Sequence, residues 1–244
     1  MSPNTLPFSS ENDYHEPSSR WHRAQMPILV GPLRGKRWLP ASGGKVLRVL
    51  LGSYEREQTA LFRQYLNPGD VVFDVGAANG YYTLLASQLV GRRGHVVSFE
   101  PNPKNAKFLR NHVDVNRATN VTVYQAAVGA KAGTQRFAFG TGTGTGKLAD
   151  DGQLEVRVLR LDDIVSAEWL RPAHLKIDVE GGELGVLEGA RETLEVFRPS
   201  IFLSTHGAEV HKECCYWLRN LDYKLDPIIG SNLEETSEVF CRAA

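Results

Sequence analysis

Two carboxylates in the first half of the chain each close an apolar run, and a glycine turn lies between them. Asp74 precedes a Gly-x-x-x-Gly turn from Gly76 to Gly80, and Glu100 ends the next run. A carboxylate in this second position can accept hydrogen bonds from both hydroxyls of a ribose. The backbone N–H groups of such a turn face a ligand where the following helix begins. The pattern predicts a nucleoside-containing cofactor.

The glycines of this turn distinguish between cofactors. A dinucleotide site requires Gly-x-Gly-x-x-Gly, which lets the backbone close on a pyrophosphate. Here Ala77 and Ala78 follow Gly76, and Tyr81 stands where the third glycine would fall. The turn therefore favours a ligand without phosphate, such as S-adenosylmethionine, whose methionine part would lie along the loop. The alternative is a purely structural turn, of the kind that any doubly wound sheet contains.

The second half of the chain carries ionisable side chains that could act as a base. If the ligand is S-adenosylmethionine, the expected reaction is methyl transfer, which mainly requires alignment of the acceptor atom, the methyl group and the sulfur in a dry pocket. A base near a hydroxyl acceptor adds roughly 10²–10⁴-fold. The candidates are Asp178, Glu180, Glu183 and His206. An unperturbed histidine titrates near pH 6.5, which suits a base. The alternative for His206 is a cap on the following helix or a hydrogen bond to the backbone.

A divalent cation is the alternative to a protein base. Asp178 and Glu180 together could bind a cation that acidifies the acceptor hydroxyl. Val179 separates the two residues, so their side chains point the same way only if both lie on the strand, before the turn that follows it. The segment 180–183 also reads as a loop and helix start, in which Glu183 favours the helix dipole. We therefore predict no metal ligands and keep a divalent metal as the less favoured alternative.

The elements that hold these residues follow from hydrophobic periodicity. Apolar runs predict strands over 71–75, 96–99, 121–124, 174–178 and 200–204. Helical patterns cover 81–90, 103–116, the segment between the last two strands, and 209–220. This alternation predicts a doubly wound, mostly parallel α/β sheet. The runs near 222–229 and 237–241 predict an antiparallel pair at one edge.

The rest of the chain divides around this core. Residues 1–25 lack periodicity and are predicted to be a mobile leader. Residues 26–66 predict a small cap of short strands, followed by a helix from Tyr54 to Leu66. Residues 67–244 form the predicted catalytic domain. Within this domain, residues 133–139 and 154–159 predict the two strands of an inserted hairpin. The Gly-Thr tract between them (140–146) is either the tip of this hairpin, which we favour, or a lid.

Several of these stretches, taken in order, resemble the FkbM-type S-adenosylmethionine-dependent methyltransferases. The resemblance covers about residues 50–210 and is carried most specifically by Phe-Glu-Pro-Asn-Pro (99–103) and Lys-Ile-Asp-Val-Glu-Gly (176–181). Further matching blocks are 51–55, 68–70, 73–77, 120–122, 126–129, 161–163 and the strand that leads to His206. The chain departs from the family at Ser204, where many relatives carry an acid two residues before the histidine.

The resemblance implies a Rossmann-like class I methyltransferase fold with a seven-stranded sheet. It implies O-methylation of a hydroxyl on a sugar or a secondary metabolite, hence a small-molecule or glycan acceptor. From the candidates named above, we predict that His206, Asp178 and Glu180 are catalytic. The implied cofactor contacts are Tyr54, Glu55, Asp74, Gly76, Ala77, Ala78, Asn79, Gly80, Tyr81, Tyr82, Glu100, Pro101, Asn102, Gln125, Ala126, Ala127 and Asp178. The rival hypotheses are a nicotinamide-dependent oxidoreductase, which the missing glycines disfavour, and a non-catalytic methyltransferase-like binding module.

Composition narrows the class of protein. Of 244 residues, 42% are hydrophobic and 23% charged, as in an ordinary globule. Lys plus Arg equals Asp plus Glu at 28 each, so no nucleic-acid partner is predicted. The three cysteines have no metal or redox spacing. No apolar run is long enough for a membrane span and no secretory signal is visible. We therefore expect a cytoplasmic enzyme without a membrane partner, with a homodimer through the cap as an open alternative.

Overall fold

The computed structural model describes residues 24–43, 45–140 and 146–244. The prediction of a mobile leader concerns residues that lie almost entirely outside these ranges. The same holds for most of the Gly-Thr tract, of which 141–145 are outside.

A large, mostly parallel sheet forms the centre of the molecule. Its strands are β3 (Val71–Val75), β4 (His95–Phe99), β5 (Val121–Tyr124), β10 (His174–Ile177), β11 (Ser200–Ser204), β12 (Tyr223–Pro227) and β13 (Glu238–Ala243). They lie in the order β12-β13-β11-β10-β3-β4-β5. The pairs from β11 to β5 are parallel. The predicted mixed α/β class with a mostly parallel sheet is confirmed.

The predicted antiparallel pair at one edge is present as β12 and β13. The strand that runs against the parallel ones is β13, the second from the edge, and not the edge strand β12 itself, which corrects the prediction of an antiparallel edge strand. β13 pairs antiparallel with β11 on one side and with β12 on the other. The edge strand β12 therefore runs in the same direction as β11. The reason is that the helical crossover after β11 leaves a gap one strand wide, and the chain turns back after β12 to fill it.

Helices cover both faces of this sheet. They are α2 (Arg56–Tyr65), α3 (Tyr81–Val90), α4 (Pro103–Val115), α5 (Leu161–Glu168), α6 (Glu183–Gly189), α7 (Arg191–Phe197) and α8 (Ala208–Arg219). Phe73 and Val75 are buried on one face of β3, and Val72 is buried on the other. Burial on both faces explains why the central strands are continuous apolar runs. The single helix predicted before β11 is two helices, and α5 was not predicted.

The insertion between β5 and β10 is larger than the predicted hairpin. The strands β7 (Gly133–Phe139) and β9 (Leu154–Leu159) pair antiparallel, as predicted. However, β6 (Ala127–Val128) and β8 (Gly146–Leu148) join them in a four-stranded sheet of order β6-β9-β7-β8. Strands of two or three residues carry too little periodicity to be seen in the sequence.

The segment before β3 combines two short strands with helical turns. β1 (Met26–Pro27) pairs with β2 (Arg37–Trp38). The 3₁₀ turn Pro40–Ser42 and the helix α1 (Val46–Leu50) follow. The prediction of strands alone in this region was therefore wrong for Val46–Leu50. Within the described part of the chain, no helix has both the length and the apolar character needed to cross a bilayer.

Candidate active site

Most of the predicted site residues line one cavity of about 370 Å³ at the carboxyl edge of the large sheet. Parallel strands deliver their following loops to this edge, where ligands of open α/β sheets bind. The predicted residues that line it are Tyr54, Glu55, Asp74, Gly76, Ala77, Ala78, Asn79, Tyr81, Tyr82, Glu100, Pro101, Ala126, Ala127, Asp178, Glu180 and His206.

Three predicted cofactor contacts, Gly80, Asn102 and Gln125, do not line this cavity. Gly80 packs against α4, because an added Cβ would come within 2.4 Å of Leu109 Cδ1. Asn102 caps α4, and its Oδ1 accepts hydrogen bonds from the N–H groups of Lys104 and Asn105. Gln125 accepts a hydrogen bond from Arg110 at the surface. All three support the elements that carry the cavity.

The turn after β3 is shaped by Gly76. Its φ is +83°, in the left-handed region that favours glycine, and a Cβ here would lie 1.8 Å from the carbonyl oxygen of Asp178. The N–H groups of Gly76 and Ala77 both donate to the carbonyl oxygen of Phe99, at 3.0 Å each. These contacts hold the loops after β3, β4 and β10 together and form one end of the cavity.

Glu100 is buried, and its carboxylate is oriented by the loops around it. Oε2 accepts a hydrogen bond from Ala78 N–H at 2.8 Å, and Oε1 accepts from Asn102 N–H at 2.9 Å and from Asn105 Nδ2 at 3.3 Å. Burial raises the pKa of Glu100 to about 7, although these three donors oppose the rise. A carboxylate has about four lone-pair positions, and these donors occupy both on Oε1 and one on Oε2, so Oε2 can accept one further hydrogen bond.

Asp74 of β3 and Lys176 of β10 are buried register partners on adjacent strands, at the base of the cavity. Lys176 is 2% exposed, and its Nζ donates to Asp178 Oδ2 at 3.1 Å. Burial opposes its charge, but Asp178, Asp74 and Glu55 outweigh this and raise the pKa of Lys176. Asp74 Oδ2 accepts a hydrogen bond from Thr83, whereas Oδ1 has no partner among the described residues. Burial raises the pKa of Asp74.

An aromatic corner, formed by Tyr54 from the segment before β3 and by Tyr81 and Tyr82 of α3, lines one side of the cavity. The ring centroid of Tyr54 lies 4.6 Å from that of Tyr81. Tyr82 donates to Glu55 Oε2 at 2.9 Å, and Lys176 Nζ lies 5.0 Å from the centroid of the Tyr82 ring. This corner places both apolar surface and a carboxylate around the space above β3.

His206 is held in its charged form by carboxylates, which argues against the predicted role as a base. Its Nδ1 donates to Glu183 Oε1 at 2.9 Å, and its Nε2 lies 3.7 Å from Asp178 Oδ1 and 3.6 Å from Glu180 Oε2. The bond to Glu183, opposed by burial and aided by Asp178 and Glu180, raises the pKa of His206 to about 9. An imidazolium at neutral pH has no lone pair with which to accept a proton.

Glu183 binds backbone N–H groups of the loop after β10 and does not line the cavity. It is fully buried, and its Oε1 also accepts hydrogen bonds from the N–H groups of Gly181 and Val179. It therefore anchors the loop after β10 and the imidazolium together, which removes it from the candidate bases.

The charge of His206 should make the stability of the protein depend on pH. Its pKa is raised in the folded state, so its contribution to stability is complete below about pH 6.5 and is lost as the pH rises through about 9. We expect the Tm difference between the native protein and His206→Gln to be largest near pH 6 and to shrink by pH 10. Thermal unfolding followed by circular dichroism tests this, with His95→Gln as the control. A difference that stays constant from pH 6 to 10 contradicts the assignment.

Sequence reasoning missed that His112 connects Trp38 and Leu39, in the segment before β3, to the glycine turn. His112 in α4 stacks on Trp38 with ring centroids 3.8 Å apart. Its Nε2 accepts a hydrogen bond from Leu39 N–H at 2.9 Å, so Nδ1 carries the proton and donates to the carbonyl of Asn79 at 2.7 Å. Burial lowers the pKa of His112 to about 4. The neutral ring thus joins the segment before β3 to the wall of the cavity.

Sequence reasoning also missed Lys176 and Glu238, which both line the cavity. A single lysine within the apolar run of β10 was the available signal, because a buried lysine requires a charged partner. Glu238 begins a strand near the C-terminus, and nothing in its local sequence indicates the site. The structure brings it there through the position of β13 next to β11.

No metal site is formed by the described residues: no group of three or more His, Cys, Asp or Glu side chains is arranged to hold a metal ion. The cavity offers a carboxylate oxygen that can accept from a hydroxyl, a glycine turn with close backbone approach, and a wall of aromatic rings and charged side chains. The fold and this site define a protein of the methyltransferase-like α/β class.

The chain belongs to the FkbM methyltransferase family, because the model of the methyltransferase FkbM domain matches residues 74–225. It is 30% identical to the hexuronic acid methyltransferase AglP of Haloferax volcanii, covering 58% of each chain. It is 31% identical to the 31-O-demethyl-FK506 methyltransferase FkbM of Streptomyces tacrolimicus, covering 52% of this chain and 62% of that one. The chain therefore spans about three fifths of the length of both relatives.

A solved structure shares the fold. The FkbM methyltransferase from Methylobacillus flagellatus superposes with a TM-score of 0.53 at 18% identity, over 81% of this chain and 52% of that one. At this identity the likeness concerns the fold alone.

Proposed function

We propose that the protein transfers a methyl group from S-adenosylmethionine to a hydroxyl oxygen of a sugar or a secondary metabolite. The observation that carries the proposal is Glu100, a buried carboxylate beside the glycine turn with both oxygens oriented by backbone N–H groups. Membership of a methyltransferase family supports the reaction class. The names of the two relatives, a hexuronic acid methyltransferase and a 31-O-demethyl-FK506 methyltransferase, support the acceptor class.

The residues around the cavity fit S-adenosylmethionine. Gly76 gives the close backbone approach that a side chain would block. The unpartnered Oδ1 of Asp74 suits an ammonium donor, such as the amino group of the methionine part. Oε2 of Glu100 would accept from a ribose hydroxyl, and the small side chains of Ala126 and Ala127 leave room for a flat base.

The cofactor supplies a methyl group already activated by a sulfonium, so the protein's main task is alignment in a dry space. The aromatic corner of Tyr54, Tyr81 and Tyr82 excludes water from one side of the cavity. The carboxylates Asp74, Asp178 and Glu55 surround Lys176, which limits the net negative charge that faces a cationic cofactor. The imidazolium of His206 orients Asp178 and Glu180.

The experiment that tests the cofactor assignment is Glu100→Gln. Hydrogen bonds to a charged group contribute about 1.5–3 kcal/mol. We therefore expect the variant to bind S-adenosylmethionine and S-adenosylhomocysteine roughly 10- to 100-fold more weakly, measured by isothermal titration calorimetry at pH 8. The exposed Glu188, changed to Gln, is the matched control. Equal affinity of Glu100→Gln and the native protein, both folded, contradicts the proposal.

The same titration separates the rival functions. A nicotinamide-dependent oxidoreductase would bind NADH with an affinity comparable to that for S-adenosylmethionine, and we expect no heat with NADH. A non-catalytic binding module would bind the cofactor and transfer nothing, so transfer of a radiolabelled methyl group to any acceptor excludes it.

A further inference from the structure

Glu238 brings a carboxylate to the cavity from a strand that runs against the parallel ones. β13 is antiparallel to β11, with Ser204 opposite Glu238 in the register. The first residue of β13 therefore lies at the carboxyl edge of β11, where the parallel strands deliver their site residues. Glu238 lines the cavity together with Asp178 and His206.

Neutral groups hold this carboxylate in place. Ser204 Oγ donates to Glu238 Oε2 at 2.8 Å, and Gln58 Nε2 donates to the same oxygen at 3.1 Å. Both of these hydrogen bonds go to Oε2 of Glu238, and neither involves Oε1. One oxygen is thus fixed by the protein, and the other is left to accept a proton from a ligand.

Asp178 and Glu180, two other acids of the cavity, face cations instead. Asp178 Oδ2 accepts from Lys176 at 3.1 Å, and its Oδ1 lies 3.7 Å from His206 Nε2. Glu180 Oε2 lies 3.6 Å from the same nitrogen. A neighbouring cation stabilises the charged form of a carboxylate and so weakens it as a base. Glu238 receives its hydrogen bonds from neutral donors.

The surroundings of Glu238 make its carboxylate easier to protonate than that of an ordinary glutamate. Burial raises the pKa of Glu238, the hydrogen bond from Ser204 opposes the rise, Asp178 and Glu55 add to it, and Lys176 opposes it. A general base is most effective when its pKa approaches the working pH.

We propose that Glu238 is the general base that removes the proton from the acceptor hydroxyl; this rests on the function proposed above. The acceptor oxygen forms a bond to the methyl carbon and gives its proton to Glu238 Oε1. The carbon–sulfur bond breaks, and its electron pair stays on sulfur. Glu238 becomes a neutral carboxylic acid and then releases the proton to water.

The test measures transfer of tritiated methyl from S-adenosylmethionine to p-nitrophenyl glucoside, p-nitrophenyl glucuronide and an extract of the native host. We expect Glu238→Gln to lower kcat roughly 10²–10⁴-fold. Its affinity for S-adenosylhomocysteine should stay within about threefold, because glutamine can still accept from Ser204 and Gln58. The acidic limb of the kcat/KM profile should also disappear. The exposed Glu235, changed to Gln, is the control and should match the native protein.

A second variant moves the carboxylate from β13 to the paired position on β11. Ser204 and Glu238 are directly opposite, so their Cβ atoms lie about 4.5–5.5 Å apart on one face of the sheet. We expect Ser204→Asp combined with Glu238→Ser to recover part of the rate that Glu238→Ser loses.

The outcomes separate the two proposals. A native protein that transfers methyl while Glu238→Gln keeps its rate and its pH profile overturns the assignment of the base alone. A native protein that binds the cofactor and transfers methyl to none of these acceptors overturns the proposed function, and the base with it.

Discussion

Replacing Gly76 with alanine will destabilise the protein by roughly 2–5 kcal/mol and weaken cofactor binding at least about 100-fold. A left-handed backbone costs an L-residue about 1–2 kcal/mol, and overpacking adds about 1–3 kcal/mol. The new Cβ would lie 1.8 Å from the carbonyl oxygen of Asp178 and 2.8 Å from its carbonyl carbon. Both are backbone atoms, so no side chain can rotate to make room. The loops after β3 and β10 must separate, and both line the cavity.

Gly91 offers a matched control for this substitution. It also has a positive φ, +62°, but an added Cβ would meet no atom within 4 Å. Gly91→Ala should therefore cost only the conformational part, about 1–2 kcal/mol, and leave cofactor affinity unchanged. Urea denaturation measures the free energy of unfolding, and calorimetry with S-adenosylhomocysteine measures the affinity. If the two variants have the same stability and the same affinity, the close approach to Asp178 is not what requires glycine at position 76.

Replacing Lys176 with methionine will destabilise the protein by about 3 kcal/mol at neutral pH. Methionine fills a similar volume but removes the bond to Asp178 and the cation that stabilises buried Asp74, and removing one partner of buried opposite charges is costly. The loss should be smaller at pH 5 than at pH 8. Without Lys176 the folded-state pKa of Asp74, already raised by burial, rises further. A group with a raised folded pKa stabilises the protein at low pH and loses that contribution as the pH rises.

Urea denaturation at both pH values tests this prediction. Lys147→Met is the control, because Lys147 also lines the cavity but is exposed. The double variant Asp74→Asn with Lys176→Met removes both charges and should recover part of the lost stability. A destabilisation by Lys176→Met that is identical at pH 5 and pH 8 would show that lost packing, and not charge, is the cause.

The local parts of the site could be predicted from the sequence. The strand, glycine turn and helix over 71–90 have the predicted bounds, and Asn102 caps α4 with Pro103 in the first turn. Glu100 lies beside the glycine turn, because adjacent parallel strands bring their carboxyl ends together. These features depend on residues close in sequence or on a single βαβ unit, where periodicity and capping residues carry the information.

Contacts between distant segments could not be predicted in this way. The sequence contains His206 at a strand end, but its charge depends on Asp178 in the loop after β10 and on Glu183 at the start of α6. Likewise, the short strands of the insertion acquire their structure only by pairing with β7 and β9.

By itself, the amino-acid sequence determined the alternating α/β core, the turn at Gly76 and the acid at Glu100, since each arises from a local pattern. The tertiary structure alone decided the partners of Lys176, the protonation of His206 and the position of Glu238 at the cavity. The position of β13 between β11 and β12 sets the last of these. The physical reason is that burial and electrostatic fields sum over whatever the fold brings near a group, and sequence separation carries no record of that proximity.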